Sequence, residues 1–165
     1  MKKIIASLLL ACSCIWAQAQ DGYSINNYDV HIRVNKDASL DIKETISVHF
    51  DISSHGIYRM IPYKYKLQPL KNGAEKADRQ FESGGFTRVF IEDINVKGWK
   101  YKTSNVNGYK EIKIGDKNKY VDGDQEYVIT YKVLNAINFF KYRSEFYYNL
   151  IGDKCNANID KVNFQ

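Results

Sequence analysis

At 165 residues the chain is long enough for one domain with a real hydrophobic core and leaves little room for a second. Thirteen Tyr and eight Phe beside only two Pro and ten Gly describe a packed, β-rich protein and exclude a disordered one. The charge is mild: of 24 basic and 19 acidic residues, Lys2 and Lys3 lie at the extreme N terminus, and without them 22 minus 19 leaves +3. That is too little to argue for nucleic acid, which calls for bases gathered into one patch or helix.

Met1-Lys2-Lys3 is a short positive segment, Ile4 to Trp16 is apolar, and Ala17-Gln18-Ala19 has the small-x-small pattern of a cleavage site. The apolar run falls short of the about 20 residues that span a bilayer as a mature helix. Residues 1–19 therefore read as a secretory signal peptide and residues 20–165 as an exported domain of the periplasm or cell envelope. Leu9-Leu10-Ala11-Cys12 offers a second reading, lipidation at Cys12 as in bacterial lipoproteins, although Leu10 fits that pattern poorly and the apolar run continues past Cys12. Nothing after residue 20 has the composition of a transmembrane helix. Cleavage after Ala19 leaves Cys155 without an internal disulfide partner, and it reads as a buried small hydrophobe in preference to a reactive thiol.

Tyr28, Val30, Ile32 and Val34 alternate with Asp29, His31 and Arg33, the two-residue period of a half-buried strand. Asn35-Lys36-Asp37-Ala38 is a turn, after which Leu40, Ile42, Ile46, Val48 and Phe50 resume the alternation, so residues 24–51 are expected to form a long hairpin. Glu44 breaks the pattern, because it occupies the inward phase, where a charge is costly unless paired. Residues 53–62 are expected as a compact connection, followed by an extended Tyr63–Leu67 that Pro62 confines to a sheet edge. From Pro69 to Gly85 the chain is polar and without period, the pattern of a loop, with room for a short helix over 74–81.

Phe86 to Val96 is a strand region, and a turn at Lys97-Gly98 leads to Trp99–Lys102. Asn107-Gly108 is the strongest hairpin signal and leads into Tyr109–Ile114. Asp122-Gly123-Asp124 reads as a further turn, placed before a strand at Tyr127–Val133. Asn135–Tyr142 is apolar and ambiguous, Phe146–Ile151 is a short strand, and Ile159–Phe164 begins one more. That last run stops at Gln165 without turn or cap, so the chain looks cut in mid-architecture. Eight or nine short strands with no helical period between them argue for an all-β fold, an antiparallel β-sandwich of immunoglobulin-like kind or a partial barrel, with one polar loop near 69–85.

Four stretches, in order, resemble one family. They are Tyr28-Asp-Val-His-Ile-Arg-Val with Leu40-Asp-Ile-Lys-Glu44-Thr-Ile; His55-Gly-Ile-Tyr-Arg59-Met-Ile-Pro62; Ile112-Lys-Ile-Gly115-Asp running through Tyr127-Val-Ile-Thr-Tyr131-Lys-Val; and Glu145-Phe-Tyr-Tyr-Asn149-Leu-Ile-Gly152. Together they resemble the bacterial predicted membrane proteins that carry domain of unknown function 2207. The resemblance implies an exported N-terminal β-domain tethered to the membrane by later helices, with no assigned activity. Asp37-Ala38 stands where a turn glycine is usual, and Tyr148 and Cys155 stand where tryptophans are usual. The β-segment and transmembrane anchor that would follow are missing, so membrane attachment is expected only in full-length relatives.

The inward Glu44 needs a partner, and Arg59 is the nearest candidate within the family-like blocks; a bidentate pair is expected to pin the 53–62 connection onto the hairpin. Its role is expected to be structural. Tyr63, Tyr65, Trp99 and Tyr101, interleaved with lysines, are the candidate binding residues, able to stack on sugar rings or pack in a protein interface. His31 and His49 fall far apart in the hairpin register, and Asp116, Asp122, Asp124 and Glu126 miss the calcium-loop spacing, so no metal and no cofactor is expected. No nucleophile elbow, phosphate loop or HExxH is present. The expectation is a non-catalytic envelope domain that binds or scaffolds a protein or polymer partner. The alternative is a cell-wall glycan or peptide hydrolase working through carboxylates such as Glu44.

Overall fold

The computed structural model describes residues 22–66, 86–139, 142 and 144–165. The expected leader, the Cys12 motif and the polar loop near 69–85 lie outside the described residues. Within them the chain forms strands and connections and no α-helix: β1 (Tyr23–Val34), β2 (Leu40–Ser54), β3 (Gly56–Pro62), β4 (Lys64–Lys66), β5 (Phe86–Arg88), β6 (Phe90–Val96), β7 (Tyr101–Val106), β8 (Tyr109–Gly115), β9 (Val121–Leu134), β10 (Ile137–Phe139), β11 (Ser144–Phe146) and β12 (Val162–Phe164).

These strands build a sandwich and close no barrel. One sheet runs β12-β1-β2-β9-β6 and the other β3-β8-β7, with two small ladders, β4-β5 and β10-β11, beside them. All pairings are antiparallel except β1 with β12. β1 and β2 form the long hairpin, with Ile32 opposite Ile42, His31 opposite Lys43 and His49 opposite Ser24, and a bulge between Ile25 and Asn27 shifts the register by one.

The core follows from the two-residue period. Val30, Leu40, Ile42, Ile46, Val48, Ile129 and Val133 from the large sheet meet Ile57, Ile61, Ile112 and Ile114 from the small one, all buried. Asp41, Lys43 and Lys132, on the other phase, leave the outer face of the large sheet polar.

Among the described residues twelve strands replace the expected eight or nine. Residues 56–62, expected as a connection, are β3, an edge strand paired along its length with β8. Phe86–Val96 breaks at Val89, whose N–H bonds the Tyr63 carbonyl at 3.0 Å and ends the pairing of β5 with β4, before β6 changes partner to β9. Asp122-Gly123-Asp124 is no turn: Gly123 sits inside β9 opposite Phe50, at a register shift, with φ of 56°. A bulge and a turn call on glycine for the same reason, a left-handed φ. Phe146–Ile151 ends as a strand at Phe146, because the carbonyls beyond it are directed elsewhere.

Candidate functional site

Glu44 lies in the middle of β2, the third strand of the large sheet, between Val30 of β1 and Ile129 of β9. Its alternation with Ile42 and Ile46 turns it inward, and it has no exposed surface. Arg59 is placed inward from the facing sheet by the same alternation, between Ile57 and Ile61 on β3. The two meet as a bidentate pair: Arg59 Nε donates to Glu44 Oε2 at 2.8 Å and Nη2 donates to Oε1 at 2.8 Å. Two tyrosines complete the carboxylate shell. Tyr28, from β1, donates its hydroxyl to Oε2 at 2.8 Å, and Tyr131, from β9, donates to Oε1 at 2.6 Å. Four donors thus occupy the four lone-pair directions of the carboxylate.

Arg59 is equally saturated. Nη1 donates to the carbonyls of Met60 at 2.6 Å and Ile151 at 2.7 Å, and Nη2 adds a bond to Leu150 at 2.8 Å. With the two bonds to Glu44, every guanidinium N–H has an acceptor. The carbonyls of residues 150 and 151 point at Arg59 and make no ladder, which is why the chain is irregular there. Tyr148 closes the group, its hydroxyl 3.2 Å from that of Tyr131.

Burial alone would lower the Arg59 pKa, but the Glu44 charge and the tyrosine oxygens outweigh it and hold it well above its usual value. Burial, reinforced by the neighbouring carboxylate, pushes Tyr28 and Tyr131 well above the ordinary phenol range, and burial also raises Tyr148. The tyrosines therefore stay protonated and remain donors. The arrangement can lock two sheets and a loop together. It offers no free lone pair and no open face to a substrate.

Tyr63, Tyr65, Trp99 and Tyr101 are half-buried and pack against the core. Three of them have their polar atoms engaged where they sit: Tyr65 Oη donates to the Pro62 carbonyl, Trp99 Nε1 to the Glu126 carbonyl, and Tyr101 Oη to the Ile94 carbonyl. Trp99 also lies over the ring of Tyr127 with centroids 4.6 Å apart. The structure does not gather the four on one surface. Tyr63 is fixed beside Gly108 by its N–H, whereas Tyr101 pairs with Ile114 at the far end of β8. At about 3.3 Å per residue that separation is roughly 20 Å.

His31 stands beside Gln165, and His49 Nδ1 lies 2.6 Å from Asp124 Oδ1, a contact that raises its pKa. Lys100 binds Asp116 at 2.7 Å. Among the described residues no three His, Cys, Asp or Glu side chains gather where they would hold a metal ion. Cys155 is half-buried and lines, with Arg59, Tyr28 and Lys154, a cavity of about 20 Å³, room for a single water.

The two tyrosine donors went unread in the sequence, although both lie in the inward phase of their strands. An inward Tyr on each side of an inward Glu was the available signal. Nothing in the side-chain pattern marks the backbone acceptors at 150 and 151.

Fold and site together define an all-β sandwich domain in which, among the described residues, the buried Glu44–Arg59 pair is internally satisfied. The family model described as "Predicted membrane protein (DUF2207) N-terminal domain" matches residues 24–165, and the chain belongs to that family. No curated protein matches the chain. Among solved structures it is similar to a mutant two-domain M1 zinc metallopeptidase bound to L-tryptophan, at 10% identity and a TM-score of 0.35. That likeness covers 69% of this chain, which spans 20% of the metallopeptidase. Among the described residues no helix is long and apolar enough to cross a membrane.

Proposed function

We propose that this chain is a non-catalytic cell-envelope β-domain, exported behind residues 1–19, that binds or scaffolds a partner and belongs to proteins held at the membrane. The observation that carries this reading is the saturation of Glu44: with four donors on its oxygens and no exposed surface, it serves the fold as half of a structural pair with Arg59. Use of Glu44 by a cell-wall hydrolase would require that shell to open. The family description, an N-terminal domain of predicted membrane proteins, supports the envelope location.

The test is Glu44→Gln, read by thermal melting and by assay on peptidoglycan fragments and peptides. A lower melting temperature with no turnover by either protein is the expected result. An unchanged melt together with loss of a turnover seen in the parent would sink the reading.

A further inference from the structure

The strands β4, β5, β10 and β11 crowd one end of the sandwich, the end where β9 stops and β6 begins. Four contacts join them there: Val89 N–H to the Tyr63 carbonyl, Tyr147 N–H to Ala136, Asn135 Nδ2 to Arg88, and the Tyr65 ring edge-on to Tyr147 at 5.4 Å. Phe86, Phe90, Phe139, Tyr142, Phe146 and Tyr147 all belong to this end, and each is between 47% and 78% exposed. A single exposed aromatic is ordinary. Here, four of the five exposed phenylalanines among the described residues, all but Phe164, lie on elements at this one end. Such concentration marks an interaction surface.

Within these four strands the charges have one dominant sign, while β6, which carries Phe90, adds the exposed Glu92 opposite Lys132. β4 and β5 present Lys64, Lys66 and Arg88, all exposed, against a single acidic side chain in the four strands, the half-buried Glu145 of β11. Lys64 Nζ lies 4.0 Å from the centroid of the Phe86 ring, so cation and apolar surface are interleaved rather than segregated. Exposed Phe beside Tyr and Lys is the chemistry of a bilayer interface, where rings enter the headgroup layer, hydroxyls stay wet and bases meet lipid phosphates. An acidic protein partner would satisfy the bases but would need a matching apolar surface for the phenylalanines, whereas a bilayer takes up bases and rings together.

We propose that this aromatic end is a docking surface for the anionic face of a lipid bilayer. The proposal rests on the envelope reading above and names the surface on which the domain lies. Phe139 and Phe146 enter the headgroup region, while Lys64, Lys66 and Arg88 pair with phosphates.

The experiment uses the protein recovered after export, its N terminus read by mass spectrometry. Sedimentation is measured with vesicles of equimolar phosphatidylglycerol and phosphatidylcholine and with vesicles of phosphatidylcholine alone. Binding is expected on the anionic vesicles and only weakly on the neutral ones. Phe139→Ser with Phe146→Ser should lower it at least about tenfold, and Lys64→Glu with Lys66→Glu by about fivefold or more per lysine. Ile52→Ser, at the opposite end, should leave it unchanged, and near-UV circular dichroism should show every variant folded. Absence of vesicle binding, equal binding to both vesicles, or equal loss in Ile52→Ser would overturn the assignment. So would self-association abolished by the phenylalanine variants, which would make this end an interface between copies. Each of those failures leaves the binding-domain reading standing, since that reading falls only on an unchanged melt together with turnover lost in Glu44→Gln.

Discussion

Gly56 and Gly115 face each other across β3 and β8 so closely that neither strand has room for a side chain at that rung. A Cβ on Gly56 would lie 1.9 Å from the Ile114 carbonyl oxygen, and one on Gly115 would lie 1.8 Å from that of His55. Both residues also hold positive φ, 128° and 136°, a region that costs other residues about 1–3 kcal/mol before any clash. Gly56→Ala and Gly115→Ala should therefore each destabilise the domain by at least about 3 kcal/mol. Gly98→Ala and Gly123→Ala, with positive φ but nothing within 4 Å, should cost only about 1–2 kcal/mol. Urea midpoints on the four variants would test the ordering, and equal shifts would contradict the close approach.

Arg59 touches more of the chain than Glu44 does, and the two should not be equivalent to mutation. Removing Arg59 strands the buried Glu44 charge and also frees the carbonyls of Met60, Leu150 and Ile151. Breaking a buried pair in this way costs roughly 3–5 kcal/mol, out of a total stability of about 5–15 kcal/mol for a domain. Arg59→Met should bring the domain near the edge of folding and increase hydrogen exchange around residues 150–152. Tyr131→Phe removes one hydroxyl donor to Glu44, keeps the ring, and should cost about 1–3 kcal/mol. Chemical denaturation of the two variants, with exchange on the first, provides the measurement.

The inward Glu44 was legible in the sequence because a two-residue period assigns every residue of a regular strand to one of two faces, and β2 is regular from Leu40 to Phe50. The same logic reached the β1–β2 register through its short turn, and Asn107-Gly108 through the positive φ both residues adopt, 49° and 88°. Where the chain is irregular the logic had nothing to act on. Leu150 and Ile151 contribute backbone oxygens, which carry no side-chain signature, and the three-residue ladders are shorter than two periods of any pattern. Tyr63, Tyr65, Trp99 and Tyr101 share a composition, but β8 sets them at opposite ends. The exposed aromatics that do converge come from β5, β6 and the β10–β11 region, and only the topology brings those together.

Ala38 carries strain that a glycine would relieve. It holds φ of 63° in the β1–β2 turn, with its N–H bonded to the Asn35 carbonyl at 3.0 Å and Asp37 Oδ1 capping Ser39 N at 3.0 Å. A left-handed conformation costs an alanine about 1–2 kcal/mol, against roughly 0.4–1 kcal/mol that glycine adds to the entropy of the unfolded chain. Ala38→Gly should thus raise stability by about 0.5–1 kcal/mol. The same replacement at Asn135, whose φ is 62°, should bring no gain, because asparagine tolerates that region and its Nδ2 bond to the Arg88 carbonyl would be lost. A melting temperature that falls in Ala38→Gly would contradict the strain.

The buried tyrosines give the domain an alkaline limit. Burial pushes Tyr65 and Tyr127 up to about 12, and Tyr28 and Tyr131, buried beside the Glu44 carboxylate, are raised well above the usual 10. A pKa higher in the folded state means that the native protein keeps a proton the unfolded chain gives up. The stability linked to that proton is complete below pH 10, declines as pH rises toward 12, and is lost above the folded-state value. Chemical denaturation midpoints should therefore be insensitive to these groups near neutrality and fall steeply between pH 10 and 12. In an alkaline titration, the late part of the tyrosinate absorbance should appear together with loss of the near-UV circular dichroism, since the hydroxyls bound to Glu44 cannot ionise while the shell is closed. Tyrosines that all titrate reversibly with the near-UV signal intact would show that water reaches Glu44, and the shell would then have to be regarded as open.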